Sequence, residues 1–269
     1  MTTALGYQES GSGRPLILLH GAGEDADMLA EQAAAFAERG FHVVWYDRRG
    51  TGDSTRDDWP DGGVAQHVAD AAWLVTSLGL APAAVLGLSS GGVVALELTA
   101  RHPDLVARVV AWEPAALMAL PQGAEVHREM LAPIEQHLAE HPADWRGAYL
   151  VALAVISGGE VDPTDPGVAR QLRNAEAAVR DDSRVITRHR LDLAGLRGRE
   201  VTIAVGRDVD PLLGSIAERL AAEVGRPVLV VEAAPDHEVY LTAPEVLTTL
   251  GDPGGPLAGD PSVPPRPLR

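Results

Sequence analysis

Short apolar runs rich in β-branched residues or leucine alternate along the chain with longer segments whose apolar positions recur at helical spacing. That is the pattern of strands joined by crossover helices in a mostly parallel sheet. Strands are predicted over residues 15–20, 42–46, 83–87, 106–112, 201–206 and 227–231. Several are apolar almost throughout, as strands covered by helices on both faces are. An earlier strand over residues 4–9 is expected to pair with 15–20 through the turn Ser10-Gly11-Ser12-Gly13. Helices are predicted over residues 27–39, 64–78, 90–101, 212–222 and 244–250, the first of them capped by Asp27.

Between Glu113 and Val201 no strand-like run occurs, and the periodicity predicts helices over 124–141, 145–157, 166–179 and 182–193, punctuated by Gly158-Gly159 and Pro163. An all-helical insertion between two strands of one sheet reads as a lid over one edge. The expected organisation is therefore an α/β fold: a mostly parallel, doubly wound sheet with helices on both faces. Its core falls in two parts, residues 1–114 and 196–250, around a helical cap over 115–195. The last 19 residues, 251–269, hold six prolines and four glycines without apolar periodicity, so they are expected to form an extended or disordered tail outside the fold.

Composition narrows the class. At 269 residues, with 46% apolar and 22% charged positions, the chain can bury a large core. Its formal charge of -16 would repel phosphate backbones and anionic lipid surfaces, which argues against nucleic acid and membrane partners. It has no cysteine, which excludes disulfides, thiolate metal sites and a cysteine nucleophile together. The N-terminal residues lack a basic region followed by an apolar run, and no stretch of about 18 apolar residues could span a bilayer, so a cytoplasmic location is expected.

The chemistry concentrates in Gly87-Leu88-Ser89-Ser90-Gly91, set between a predicted strand and a predicted helix. A serine at such a tight turn sits in a strained conformation that projects its hydroxyl over the sheet edge, and flanking glycines let strand and helix approach. Ser89 is the candidate nucleophile. The oxyanion that forms on attack needs two aimed donors. The Ser90 amide is one candidate, and the Ala22 amide, in His20-Gly21-Ala22-Gly23 after an early strand, is the other. His20 is read as a loop histidine that fixes the backbone.

A serine hydroxyl needs a base oriented by a carboxylate. Of nine histidines only His237 follows the last predicted strand, which puts it at the edge that carries Ser89. For the acid, Asp208 and Asp210 rank first because they follow the strand over 201–206; Glu113, at the end of the strand over 106–112, is the third candidate. The acidic run Glu24-Asp25-Ala26-Asp27 is read as a solvated loop rather than a metal site.

With these residues in place, the chain resembles the α/β-hydrolases, in particular the capped group of small esterases, lactonases, carbon-carbon bond hydrolases and cofactor-free haloperoxidases. The resemblance covers about residues 4–250. It is carried by His20-Gly21-Ala22-Gly23, by Tyr46-Asp47-Arg48-Arg49-Gly50-Thr51-Gly52-Asp53-Ser54, by the turn at Ser89, and by His237 with Pro244 seven residues on. It implies a Ser-His-acid triad, an oxyanion hole and a helical cap that shapes the pocket for a small-molecule substrate, with no cofactor and no metal. Two positions depart from the family pattern: Val209 stands where the acid is usual, and Asp236 where a glycine precedes the histidine. The expected activity is hydrolysis of an ester, lactone or similarly activated carbonyl. The alternatives are a non-hydrolytic lyase, isomerase or cyclase of secondary metabolism, or a catalytically silent binding protein. The sequence does not specify an oligomeric state.

Overall fold

A computed structural model describes residues 4–258 of the chain. Seven strands form one sheet: β1 (Tyr7–Gly11), β2 (Arg14–Leu19), β3 (Phe41–Tyr46), β4 (Ala83–Leu88), β5 (Val106–Trp112), β6 (Val201–Gly206) and β7 (Leu229–Val231). Their spatial order is β1-β3-β2-β4-β5-β6-β7, and every pair is parallel except β1 with β3. The hairpin expected between the first two strands does not form. Both flanks of β2 are taken, by β3 and β4, so β1 lies on the outer side of β3 with Tyr7 opposite Tyr46.

Successive strand residues face opposite sides of a sheet. Leu16, Leu18, Val43 and Trp45 accordingly fall in one buried cluster with Phe36 of α1 (Ala30–Glu38). Ile17, Leu19, Val44 and Tyr46 fall in the other, with Leu74 of α2 (Gly63–Ser77), Val94 of α3 (Ser90–Arg101) and Leu220 of the helix Pro211–Val224. Each such side chain contributes roughly 1.5–3 kcal/mol by burial, so register and face are strongly specified. The entry to α1 differs from expectation. The chain first makes a 3-10 turn, Ala26–Leu29, whose cap is Asp25, accepting from the Met28 N–H; Asp27 is exposed and accepts from Gln8 instead.

Between β5 and β6 the described chain forms helices, turns and short irregular connections, with no strand. It holds α4 (Gly123–Glu140), α5 (Trp145–Ser157) and α6 (Pro166–Gln171), which share a separate small core with Ile134, Tyr149, Leu172 and Val179 at its centre. The two helices expected over 166–179 and 182–193 are broken differently. After α6 come a 3-10 turn (Leu172–Asn174), one α-turn (Ala175–Ala177) and a π-helix (Ala178–Ile186), with a last short helix at Leu193–Leu196. The wider π turn lets two consecutive acids, Asp181 and Asp182, both turn inward: Asp181 meets the buried His67 and the half-buried Trp59, and Asp182 meets the buried Arg48.

At the C-terminal end the expected helix over 244–250 is a helical turn Val239–Thr242 followed by a 3-10 helix Leu247–Gly251. Residues 251–258 continue as turns, and Leu257 packs into the α1-side cluster, 2% exposed. That part of the expected tail belongs to the fold, because one leucine supplies the apolar anchor the compositional bias hid. Residues 259–269 lie outside the described residues. Among the described residues no helix is long and apolar enough to cross a membrane.

Candidate active site

Ser89 is the single residue between β4 and α3, and its backbone has φ 51 and ψ -116. A non-glycine residue in that region carries strain of order 1–3 kcal/mol. The surroundings hold it there. Its N–H donates to the Trp112 carbonyl at 2.9 Å, and its own carbonyl accepts from the Gly92 and Ala115 amides. The flanking glycines are demanded by contact: a Cβ on Gly87 would stand 2.5 Å from the Gly91 oxygen, and one on Gly91 would overlap the Leu19 and His20 carbonyls. The expected tight turn is present, with the side chain half-buried at the C-terminal edge of the sheet.

The strand beside β4 supplies the partner group. Leu88 lies opposite Trp112 in the β4–β5 register, so Glu113 emerges next to Ser89 at the same edge. Glu113 also has a positive φ, 41. Its side chain is 1% exposed; Oε1 accepts the Gly206 N–H at 2.8 Å and Oε2 lies 2.6 Å from His237 Nδ1. The His237 carbonyl is held from the same strand by the Trp112 indole N–H at 2.9 Å. A carboxylate against Nδ1 requires the proton there, which leaves Nε2 bare to take another. Burial opposes a charge on His237, but the hydrogen bond and charge of Glu113, with smaller contributions from Glu24 and Glu238, outweigh it and raise its pKa above the ordinary histidine value.

Neither aspartate ranked first occupies that position. The Asp208 side chain is 64% exposed and pairs with Arg207, and Asp210 accepts the Leu212 and Leu213 amides as the cap of the helix Pro211–Val224. Both are committed to the turn after β6, while the Glu113 carboxylate already fills the space at the Gly206 amide. The sequence carried a signal for this, since Val209 stands where the family pattern has its acid.

The loop after β2 packs against the turn at Ser89: a methyl on Gly21 would lie 3.3 Å from Ser89 Cβ. The Ala22 and Ser90 amides donate to no protein acceptor among the described residues. His20 is fully buried and fixes the loop as expected. The Arg48 N–H donates to its Nε2, so Nδ1 carries the proton and donates to the Gly21 carbonyl at 2.8 Å. Burial, reinforced by the Arg48 charge, holds its pKa well below the ordinary value, consistent with a neutral ring.

The neighbouring acidic run is solvated only at Asp27 and not, as expected, throughout. Glu24 and Asp25 are 2% and 6% exposed. Asp25 bonds Arg173 and Asn174, and Glu24 bonds the Gly21 amide and the Tyr240 hydroxyl. The solvated reading fails because helices from the inserted segment cover the loop. Tyr149 of α5 donates to the Ala22 carbonyl at 3.1 Å, and Gln171 of α6 reaches Glu238, the residue after His237. Arg48 is a further residue that sequence reasoning passed over. It is 1% exposed, and its Nη2 reaches the Gly21 carbonyl, Ser90 Oγ and Asp182 at 2.9, 3.4 and 2.8 Å. One guanidinium therefore touches both segments that carry the free amides, and the inserted helices as well.

Comparison with known proteins bears on the family and the fold. A family model described as alpha/beta hydrolase fold matches residues 14–151, a little over half of the chain. An uncharacterized hydrolase, YraK, from Bacillus subtilis (strain 168) is 34% identical over 155 residues, covering 57% of this chain and 55% of that protein. A non-heme haloperoxidase from Rhodococcus erythropolis is 35% identical over 100 residues, covering 37% of this chain and 36% of that protein. These matches thus span about half or less of the relatives' own lengths. Among solved structures, an esterase from Exiguobacterium antarcticum superposes with a TM-score of 0.64 at 20% identity, covering 92% of this chain and 93% of that one.

Proposed function

The chain belongs to the alpha/beta hydrolase fold family, and from that premise we propose that it is a serine hydrolase acting on an ester, lactone or similarly activated carbonyl of a small molecule. Ser89 is the nucleophile, His237 the base and Glu113 the acid. The Ala22 and Ser90 amides form the oxyanion hole. The observation that carries the reading is the 2.6 Å contact between His237 Nδ1 and Glu113 at the strand end beside the strained Ser89.

In the first half-reaction His237 Nε2 takes the Ser89 proton as Oγ bonds to the carbonyl carbon. The carbonyl electron pair moves to oxygen, where two preorganised amides meet it. Collapse of this adduct breaks the bond to the leaving group, which takes the proton back from the imidazolium and leaves an acyl-serine. In the second half-reaction His237 deprotonates a water as its oxygen bonds to the acyl carbon; collapse of that adduct breaks the bond to Ser89 Oγ, which takes the proton back from the imidazolium, and releases the acid. Through both halves the Glu113 carboxylate stabilises the charge that forms on the ring.

The helices over residues 115–195 serve as a cap that shapes the substrate pocket. The bonds of Tyr149, Gln171 and Asp182 to the loops of the site support that assignment. No step calls for a cofactor or metal.

Turnover of short-chain nitrophenyl esters tests the reading. Wild-type protein should hydrolyse them and Ser89→Ala should not. Covalent labelling of Ser89 by a fluorophosphonate without any ester turnover would instead favour non-hydrolytic chemistry at the same serine. The absence of both would favour a silent binding protein.

A further inference from the structure

Resting on the serine-hydrolase reading, we infer that Glu24 is a positioning residue for this site: its buried carboxylate ties the loop carrying Ala22 to the segment carrying His237. Glu24 Oε2 accepts the Gly21 N–H at 2.7 Å, and Oε1 accepts the Tyr240 hydroxyl at 2.6 Å. Tyr240 lies three residues after His237, and the two rings meet edge-on with centroids 6.3 Å apart. A methyl on Gly21 would stand 3.3 Å from both Glu24 oxygens and 3.3 Å from Ser89 Cβ, so carboxylate and nucleophile flank the same backbone position.

This bonding aims the Ala22 amide. A trans peptide plane points its C=O and N–H in opposite directions. The Gly21 carbonyl is held by Arg48 and by His20, and the Gly21 N–H by Glu24, so both ends of the residue are pinned. The Ala22 N–H then projects away from the Arg48 side. Remove Glu24 and one of those two anchors goes, together with the link to the His237 segment.

A neutral amide could not replace the Glu24 carboxylate, because the two hydrogens are met by two separate carboxylate oxygens and glutamine has only one oxygen to accept with. Burial pushes the Glu24 pKa up to about 7 despite its two donors. The groups that face it are His237, Glu238 and Tyr240 from one segment, Tyr149 from α5, and the Gly21 amide from its own loop. Its negative charge is among those that raise the His237 pKa. The carboxylate thus acts on the loop by hydrogen bonding and on the base through space, and its two bonds are strongest when it is ionised.

The test is kcat and KM for a short-chain nitrophenyl ester between pH 5 and 9, with fluorophosphonate labelling of Ser89 in parallel. Glu24→Gln should lower kcat roughly 10- to 100-fold with KM within about twofold, the signature of lost positioning rather than lost binding. In wild type the acid limb of kcat/KM should be steeper than a single proton requires. In Glu24→Gln it should become single-proton and move to lower pH, because the charge that raised the His237 pKa is gone. Tyr240→Phe, which removes a donor that lowers the Glu24 pKa, should move the limb the opposite way. A folded Glu24→Gln protein with wild-type kcat and an unmoved limb would overturn the inference while Ser89 labelling left the hydrolase reading standing. If Glu24→Gln does not fold, a Tyr240→Phe protein with the wild-type limb overturns it equally. A wild-type protein that neither labels nor turns over would remove the hydrolase reading and this inference with it.

Discussion

At Glu113 a single side chain reconciles three demands: it closes the end of β6 through the Gly206 amide, accepts the His237 ring, and does both from a backbone with positive φ. Glu113→Gln should therefore lower kcat/KM by about 10³–10⁴, the scale of losing a triad carboxylate. Asp208→Asn should leave it within about twofold, since that side chain pairs only with an exposed arginine. In the proposed mechanism His237 must be neutral to act, and its pKa lies above the ordinary value, so activity should fall as pH drops through a midpoint above 6.5. The Glu113→Gln variant should show that midpoint at lower pH. Glu24 carries a stability consequence of its own. The unfolded carboxyl releases its proton near pH 4.5 and the folded one only near 7, so its contribution is fully present below pH 4.5 and is lost as pH rises through about 7. The midpoint of denaturant unfolding for Glu24→Gln relative to wild type should rise between pH 5 and 8, by up to about 3 kcal/mol in stability. A constant difference across that range would show that Glu24 is already ionised in the fold.

At the scale of elements, the site depends on how tightly β2, β4 and α3 converge. Gly91→Ala places a methyl against the last carbonyls of β2, with only backbone to yield. It should cost about 1–3 kcal/mol and displace the His20–Gly23 loop, read as a lower unfolding midpoint with a larger loss of activity than of stability. The join between core and inserted helices includes a buried ion pair. Arg48 and Asp182 are 1% and 2% exposed, so Asp182→Ala leaves a buried cation without its main partner and should destabilise by about 3–5 kcal/mol. Double substitution to an apolar pair should recover part of that loss, measured by the same unfolding transition. These elements were largely legible in the sequence, because strand runs and helix periodicity come from burial patterns that leave a mark in every residue: α3 and α5 begin and end where the periodicity places them. The π-helix was not legible, since the partners of Asp181 and Asp182 lie more than a hundred residues away.

For the whole molecule, the α/β class, the strand-turn-helix at Ser89 and the place of His237 could all be read from local pattern. The partner of β1 and the carboxylate beside His237 could not. Both depend on which strands are neighbours in space: β1 finds β3 because β2 is already flanked, and Glu113 finds His237 because β5 lies between the strand that ends at Ser89 and β6. Leu257 shows the same limit at the C-terminal end, where composition suggested a tail and one buried leucine anchors a turn. The proposed function rests on a Ser89 hydroxyl made nucleophilic by His237. The most direct measurement is intact mass and peptide mapping after exposure to a fluorophosphonate. A single adduct on Ser89 is expected in wild type, strongly slowed in His237→Ala and absent in Ser89→Ala. No adduct, or one formed at the same rate on another residue, would contradict it.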